Sequence, residues 1–462
     1  MQTFTKTIEK ISDFIWGYPM ILLLLFCGIF FTFQLKFLPF RYAKVVLQET
    51  VGKLFSKQEK SKSGTLSPFQ AFTTSLASTA GATNVVGVPV AIGFGGPGAL
   101  FWMWIVALIG MSLIYAEIVL GIKFREKNEK DEWVGGPVYY MQKGLHWKIP
   151  SIIYATGLMF EVFASSMVQA NCFSKIVTSS FGWSKLMVGI GLAILVAIMV
   201  FGGVQRIGKV TEKLLPFLVL VYVGLTGYII FTLRDQIPET FGLIFQHAFT
   251  KTAPIGLFAG AGIVQTIRWG MARGLYTSDA GMGNSAIANA TAEVEYPSQQ
   301  GFWGIFAVFI DTIVICSLSG LVVILSGEWQ RAKSEEAQAM ILQTFSKVFG
   351  EFPSQVILSF MIGLFAVATI GVIIYYGEKQ AEFLFFPKAG YIARFFYLGA
   401  VVLGSIGALE FCWKLVDLVL VLVVVPNVFA LMFLYKHVKE ETDRFLDYQK
   451  TKPKKGTPKA QT

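Results

Sequence analysis

Charge is scarce in this chain. Only 15% of its 462 residues are Asp, Glu, Lys or Arg, where a soluble domain carries about 25%. Histidine and cysteine are scarcer still, at three and four residues. Cys27, Cys172, Cys316 and Cys412 stand apart in apolar segments with no paired spacing. That excludes a disulfide framework and a zinc site recognisable from spacing. His146, His247 and His437 are scattered too, so no histidine metal cluster is indicated. An enzyme in the membrane would need His, Cys or carboxylates converging at one face, and none converge. The chain therefore reads as a non-enzyme with no organic cofactor.

What fills the chain instead is apolar sequence. Hydrophobic residues make up 54% of it. They gather in runs of about 20, enough to cross a hydrocarbon core of roughly 30 Å as helix. The expected class is an all-α polytopic membrane protein. The net charge of +10 does not point to nucleic acid. Its basic residues sit at the ends of apolar runs, where they set orientation during insertion. The stretch from Gly17 to Leu35 is too long for a signal peptide and reads as a retained helix.

The hydropathy pattern predicts eleven spanning segments: 17–36, 68–94, 98–122, 151–178, 185–203, 213–233, 254–272, 301–327, 354–377, 391–409 and 413–436. With the C-terminus in the cytoplasm, the inner side collects about 29 Lys and Arg and the outer side about nine. The N-terminus is thus expected outside. Around the spans, 1–16 is an outer end, 37–67 a cytoplasmic linker and 437–462 a basic cytoplasmic tail. Trp102, Trp104, Trp133, Trp147, Trp329 and Trp413 fall near segment ends, as interfacial belts require.

One apolar segment is built to break. Within LASTAGATNVVGVPVAIGFGG (Leu76–Gly96), the centre is Ser78-Thr79-Ala80-Gly81-Ala82-Thr83-Asn84. Every backbone polar group in hydrocarbon must find a partner, so a helix unwinds there only where the freed groups line a cavity or bind something. The N–H groups opening the outer half-helix attract a carboxylate, and the carbonyls ending the inner half attract a cation. Gly87, Gly93 and Gly95 suit close helix packing instead. A second break is expected at Gly256–Gly262, in the seventh segment. Setting aside the first helix, the breaks fall in helices one and six of ten. That is the spacing of two five-helix halves, 68–233 and 254–409, the segment 413–436 completing the second.

Other polar residues lie within segments. Asp311 is mid-segment, where an ionisable group is functional by default. It suits either a coupling site or a hydrogen bond holding helices in register. Glu117 is near an inner end and can snorkel. Glu161 lies deeper and shares a helix face with Gln169, eight residues on, which predicts a polar stripe facing the bundle interior. Arg268 and Arg273 are expected to anchor the inner end of the seventh segment.

The motifs resemble one family nearly end to end. They are TNVVGVPVAIGFGGPGALFWMWIVALIGM, YAEIVLGIKFRE, GGPVYYMQKGL, MVQAN (Met167–Asn171), GGVQRIGKVTEKLLPF, LFAGAG, ARGLYTSDAGMGNSAIANA, AVFIDTI (Ala307–Ile313) and YYGEKQAEFLF. Together they resemble the alanine or glycine:cation symporters, sodium-coupled carriers of small neutral amino acids. The resemblance implies the five-plus-five inverted-repeat, leucine-transporter-like fold with an extra N-terminal helix and two discontinuous helices. It implies symport of alanine or glycine with sodium across a bacterial cytoplasmic membrane, with no nucleic acid and no obligate protein partner. By resemblance, Thr83 and Asn84 meet the substrate carboxylate, Gln169 adds a polar contact, Phe258 and Gly260 close the pocket, and Thr369 faces it. The sodium region falls at Thr79, Ala82, Phe365 and Thr369. The chain departs from the family at Ala82 in G-T-G-N, at Ala368 where a serine is usual, at Ile373 for a tryptophan, at Asp279 for a glutamate and at Asn289 for a histidine. Ile373 should change the pocket's size. Ala368 removes one hydroxyl, which leaves a proton-coupled or substrate-shifted carrier of the same fold as the alternative. The sequence shows no repeated pore loop, so a passive channel is not indicated.

Overall fold

The computed structural model describes residues 18–54, 65–129, 131–250, 263–330, 339–407 and 409–451. Nearly all of it is helix, because apolar runs in hydrocarbon satisfy their backbone only within themselves. The helices are α1 (Tyr18–Gln34), α2 (Pro68–Thr79), α3 (Ala82–Gly95), α4 (Gly98–Lys123), α5 (Lys148–Phe181), α6 (Lys185–Val200) and α7 (Gly203–Thr232). After the undescribed residues 251–262 come α8 (Ile263–Ser278), α9 (Pro297–Leu325), α10 (Glu351–Leu384), α11 (Ala389–Ile406), α12 (Leu409–Phe433) and α13 (Tyr435–Thr451).

Among the described residues, seven helices are long and apolar enough to span: α4, α5, α7, α9, α10, α11 and α12. The pair α2 and α3 makes an eighth span, bent by 40° at its break. Helices α1 and α6 are apolar but shorter. Ten of the eleven expected segments therefore have a matching helix, and α8 supplies the end of the other. The second expected break, with Phe258 and Gly260, lies outside the described residues.

Two stretches read as solvated segments are helical. Helix α7 begins at Gly203, ten residues before the apolar run, because Arg206, Lys209 and Lys213 extend it on a polar face. The start of the tail forms α13, which buries Val438, Thr442 and Phe445. Its Thr442 hydroxyl meets the Tyr115 hydroxyl of α4 at 2.9 Å.

The burial pattern sorts the helices. Both α2 and α3 are buried almost throughout. They pack against α10, α7 and α8, with α5 beside α10, α11 and α12. Helices α6, α7 and α11 turn large apolar side chains outward, Leu220 and Ile392 among them. In a bilayer such faces meet lipid. The broken pair is thus the centre of the bundle.

Candidate functional site

Helix α2 starts at a capping box. Ser67 Oγ accepts from Gln70 N at 3.1 Å, and Gln70 Oε1 accepts from Ser67 N at 3.1 Å. Pro68 follows at the first helical position, where no donor is needed. The helix ends because its last hydroxyls turn back on their own chain. Ser78 donates to Ser75 O at 2.7 Å and Thr79 to Leu76 O at 3.0 Å. Such local bonds compete with helix continuation. Gly81 then runs extended, and α3 begins at Ala82. The first N–H groups of a helix lack carbonyl partners within it; here Asn84 N turns to Gly81 O at 3.1 Å.

Gly81 is required by crowding. A Cβ there would lie 2.7 Å from Thr369 Oγ1 and 2.8 Å from Gln169 Nε2. Three distant elements thus converge on the break. Gln169 of α5 donates to Thr83 Oγ1 at 3.2 Å. Thr369 of α10 donates to Ala77 O at 2.7 Å. Oxygen atoms from the end of α2 and the face of α10 are therefore adjacent.

A cavity opens beside the break. Its walls are Thr79, Thr83, Gln169, Thr369 and Ile373, together with Ser78, Glu161, Ser165, Tyr276, Asp279 and Asn284. Its empty space totals about 320 Å³, at the small end for a ligand site.

The structure brings Thr79, Thr83, Gln169 and Thr369 together at this cavity. It places Asn84, Ala82 and Phe365 behind the wall, all buried. Asn84 Nδ2 donates to Asp311 Oδ1 at 2.6 Å and lies 3.4 Å from Cys316 Sγ. Asn84 Oδ1 in turn accepts from Gly81 N at 3.4 Å, so its side chain links the break to Asp311. Asp311 sits in a π-helical stretch, Phe309–Cys316, inside α9. Such a stretch shifts side chains from the regular helical register and is frequent at functional sites.

Two expectations change. Glu117 does not snorkel: it is fully buried and accepts from Gly281 N at 2.9 Å, Gly283 N at 3.1 Å and Asn427 Nδ2 at 2.8 Å. It clamps the turn after α8, in which Gly281 (φ 93°) and Gly283 (φ 77°) take conformations other residues avoid. Tyr154 holds the same turn by donating to Met282 O at 2.8 Å. Arg273 is no surface anchor either. It is buried, its guanidinium 5.2 Å from the centre of the Trp269 ring.

Sequence reasoning missed Tyr276, Asp279 and Asn284 as cavity walls. Tyr276 lies in the last turn of α8, and Asp279 and Asn284 follow around the clamped turn, whose path brings them to the cavity. Glu161 carried a signal, its helical spacing from Gln169.

The description of the sodium:alanine symporter family matches residues 1–461. The chain belongs to this family. Among its relatives is an uncharacterized transporter, YflA, of Bacillus subtilis, 42% identical over 98% of each chain. The sodium/alanine symporter AgcS of Methanococcus maripaludis is 34% identical, covering 98% of this chain and 99% of its own. The probable sodium/glutamine symporter GlnT of Bacillus subtilis is 34% identical over 95% and 90%. In structure, the chain resembles MhsT in complex with L-phenylalanine, with a TM-score of 0.64. That match covers 83% of this chain and 93% of MhsT at 14% identity, and shows the fold. The architecture is the leucine-transporter-like inverted repeat. As a sodium:alanine symporter family member, the chain is a multi-pass, sodium-coupled amino-acid transporter.

Proposed function

We propose that this symporter imports a small neutral amino acid, alanine or glycine, with sodium across a bacterial cytoplasmic membrane. The observation that carries the reading is the convergence at Gly81: Thr83, Gln169 and Thr369 meet at the break between α2 and α3. The substrate carboxylate lies on the first turn of α3, beside Thr83 and Gln169. Sodium lies between the end of α2 and Thr369, near Thr79. Asn84 supports the turn from behind through Asp311, with Ala82 and Phe365 completing the packing. Phe258 and Gly260 close the far side of the pocket.

Coupling follows from burial. A carboxylate or a sodium ion alone is costly in the closed bundle. Together they offset each other, so the loaded state closes where half-loaded states do not. The small volume of the cavity fits a substrate of few atoms, and Ile373 on its wall sets the room for a side chain. Rocking of α2, α3, α8 and α9 against the rest would alternate access. The N-terminus is outside and the C-terminus inside.

A proton-coupled carrier is the second reading, favoured by the buried contact of Asp311 with Asn84 and by the missing hydroxyl at Ala368. Uptake of labelled alanine and glycine into proteoliposomes decides between them. The sodium reading expects uptake to collapse when choline replaces sodium and to survive a protonophore. The opposite pair of results overturns it.

A further inference from the structure

The cavity is also lined by a cluster that substrate binding does not use. Glu161 and Gln169 are eight residues apart on α5, which separates their backbones by about 12 Å. An α-ammonium lies only about 2.5 Å from its own carboxylate carbon. The span between the two backbones exceeds that of the amino acid's charged pair, which favours a separate cation at Glu161.

The cluster's chemistry is one-sided. Glu161 takes a single hydroxyl, from Ser165, whose oxygen also lies 2.8 Å from the Tyr276 hydroxyl. Asp279 takes a long bond from Ser78, at 3.4 Å. Oδ1 of Asn284 and Oε1 of Gln169 have no partner, and both residues are at least nine-tenths buried. No Lys, Arg or His is among the described residues lining the cavity. Two carboxylates and two orphan amide oxygens therefore line one cavity with no cationic side chain among its described walls. Interior acceptors in such excess are costly until a positive charge joins them. An all-oxygen set selects a hard ion. Among the described residues no group of three or more Asp, Glu, His and Cys could hold a metal, so a multivalent centre is not built here.

We propose that Glu161 and Asp279, with the Asn284 amide oxygen, form a second sodium site, separate from the oxygens of Thr369 and Ala77 at the break. The proposal rests on sodium symport as proposed above, and adds where a further ion pauses between the central site and the end of α8.

The test uses the full chain in proteoliposomes and in nanodiscs. Radioactive sodium is titrated without amino acid, and alanine uptake is followed against sodium concentration. Wild type is expected to bind two sodium ions, with a Hill coefficient approaching about 2. Glu161→Gln and Asp279→Asn, each checked for monodispersity, are expected to bind one. Their half-saturating sodium should rise about tenfold or more, while KM for alanine at saturating sodium changes little. Ser165→Ala serves if a carboxylate variant does not fold, with a smaller shift in the same direction. Unchanged sodium stoichiometry in these variants overturns the proposal, symport standing. So does a raised alanine KM with sodium binding intact, which makes the carboxylates substrate contacts. Uptake that follows pH and ignores sodium overturns both this site and the symport reading.

Discussion

Gly81 shows how one residue serves two constraints. It lets the chain run extended between α2 and α3, and it leaves room for the Thr369 and Gln169 side chains. Gly81→Ala puts a methyl inside contact distance of both. Uptake should fall about tenfold or more, with normal membrane insertion seen by blot. Undiminished uptake would show that the two side chains are free to withdraw. Asn84 and Asp311 share one hydrogen bond. If they act as a unit, the double variant Asn84→Ala/Asp311→Asn transports no worse than its weaker single variant. Independent, additive losses would separate their roles. Glu117→Ala strands the Gly281 and Gly283 N–H groups in the core and removes one of the two acceptors of the Asn427 amide. The expected loss is about 2 kcal/mol or more, read as a lower apparent melting temperature.

At the scale of elements, the broken helix was legible because polarity in mid-membrane is rare and its position is visible in a plain apolar run. The span ends were legible for the same reason, and α4 and α10 match expectation within a few residues at their starts. The π-helical stretch of α9 was not. Phe309–Cys316 has no unusual composition; its extra residue per turn comes from packing against α4, α8 and α3. Deleting one residue there would turn the following chain by about 100°. Removal of Ile313 should separate Asp311 from Asn84 or displace Cys316, abolishing uptake in a protein that still inserts. Retained uptake would make the stretch incidental. Helix α13 was hidden for another reason. Its sequence is mostly charged, and only the alignment of Val438, Thr442 and Phe445 on one face lets it dock.

Across the whole molecule, one end of the bundle is tied by charge. Lys379 of α10 reaches Glu132 at 3.3 Å and Glu382 at 2.9 Å, and Arg394 of α11 grips Glu378 with two bonds of 2.9 and 2.7 Å. Orientation itself is testable from outside the cell. A cysteine at exposed Lys185 should react with a membrane-impermeant maleimide in intact cells. One at exposed Lys439 should react only after permeabilisation. The reverse pattern would invert the topology.

By itself the sequence determined the class, the first break and the family, because these depend on local polarity and on motifs that are contiguous in the chain. The residues at the break itself, Thr83, Gln169 and Thr369, followed from the family's motifs. Only the tertiary structure decided that Asn84 faces Asp311, and that Asp279 and Asn284 come round a glycine turn to share a cavity with Glu161. These depend on contacts across more than a hundred residues, between side chains whose direction a helix packed in lipid acquires only from its neighbours.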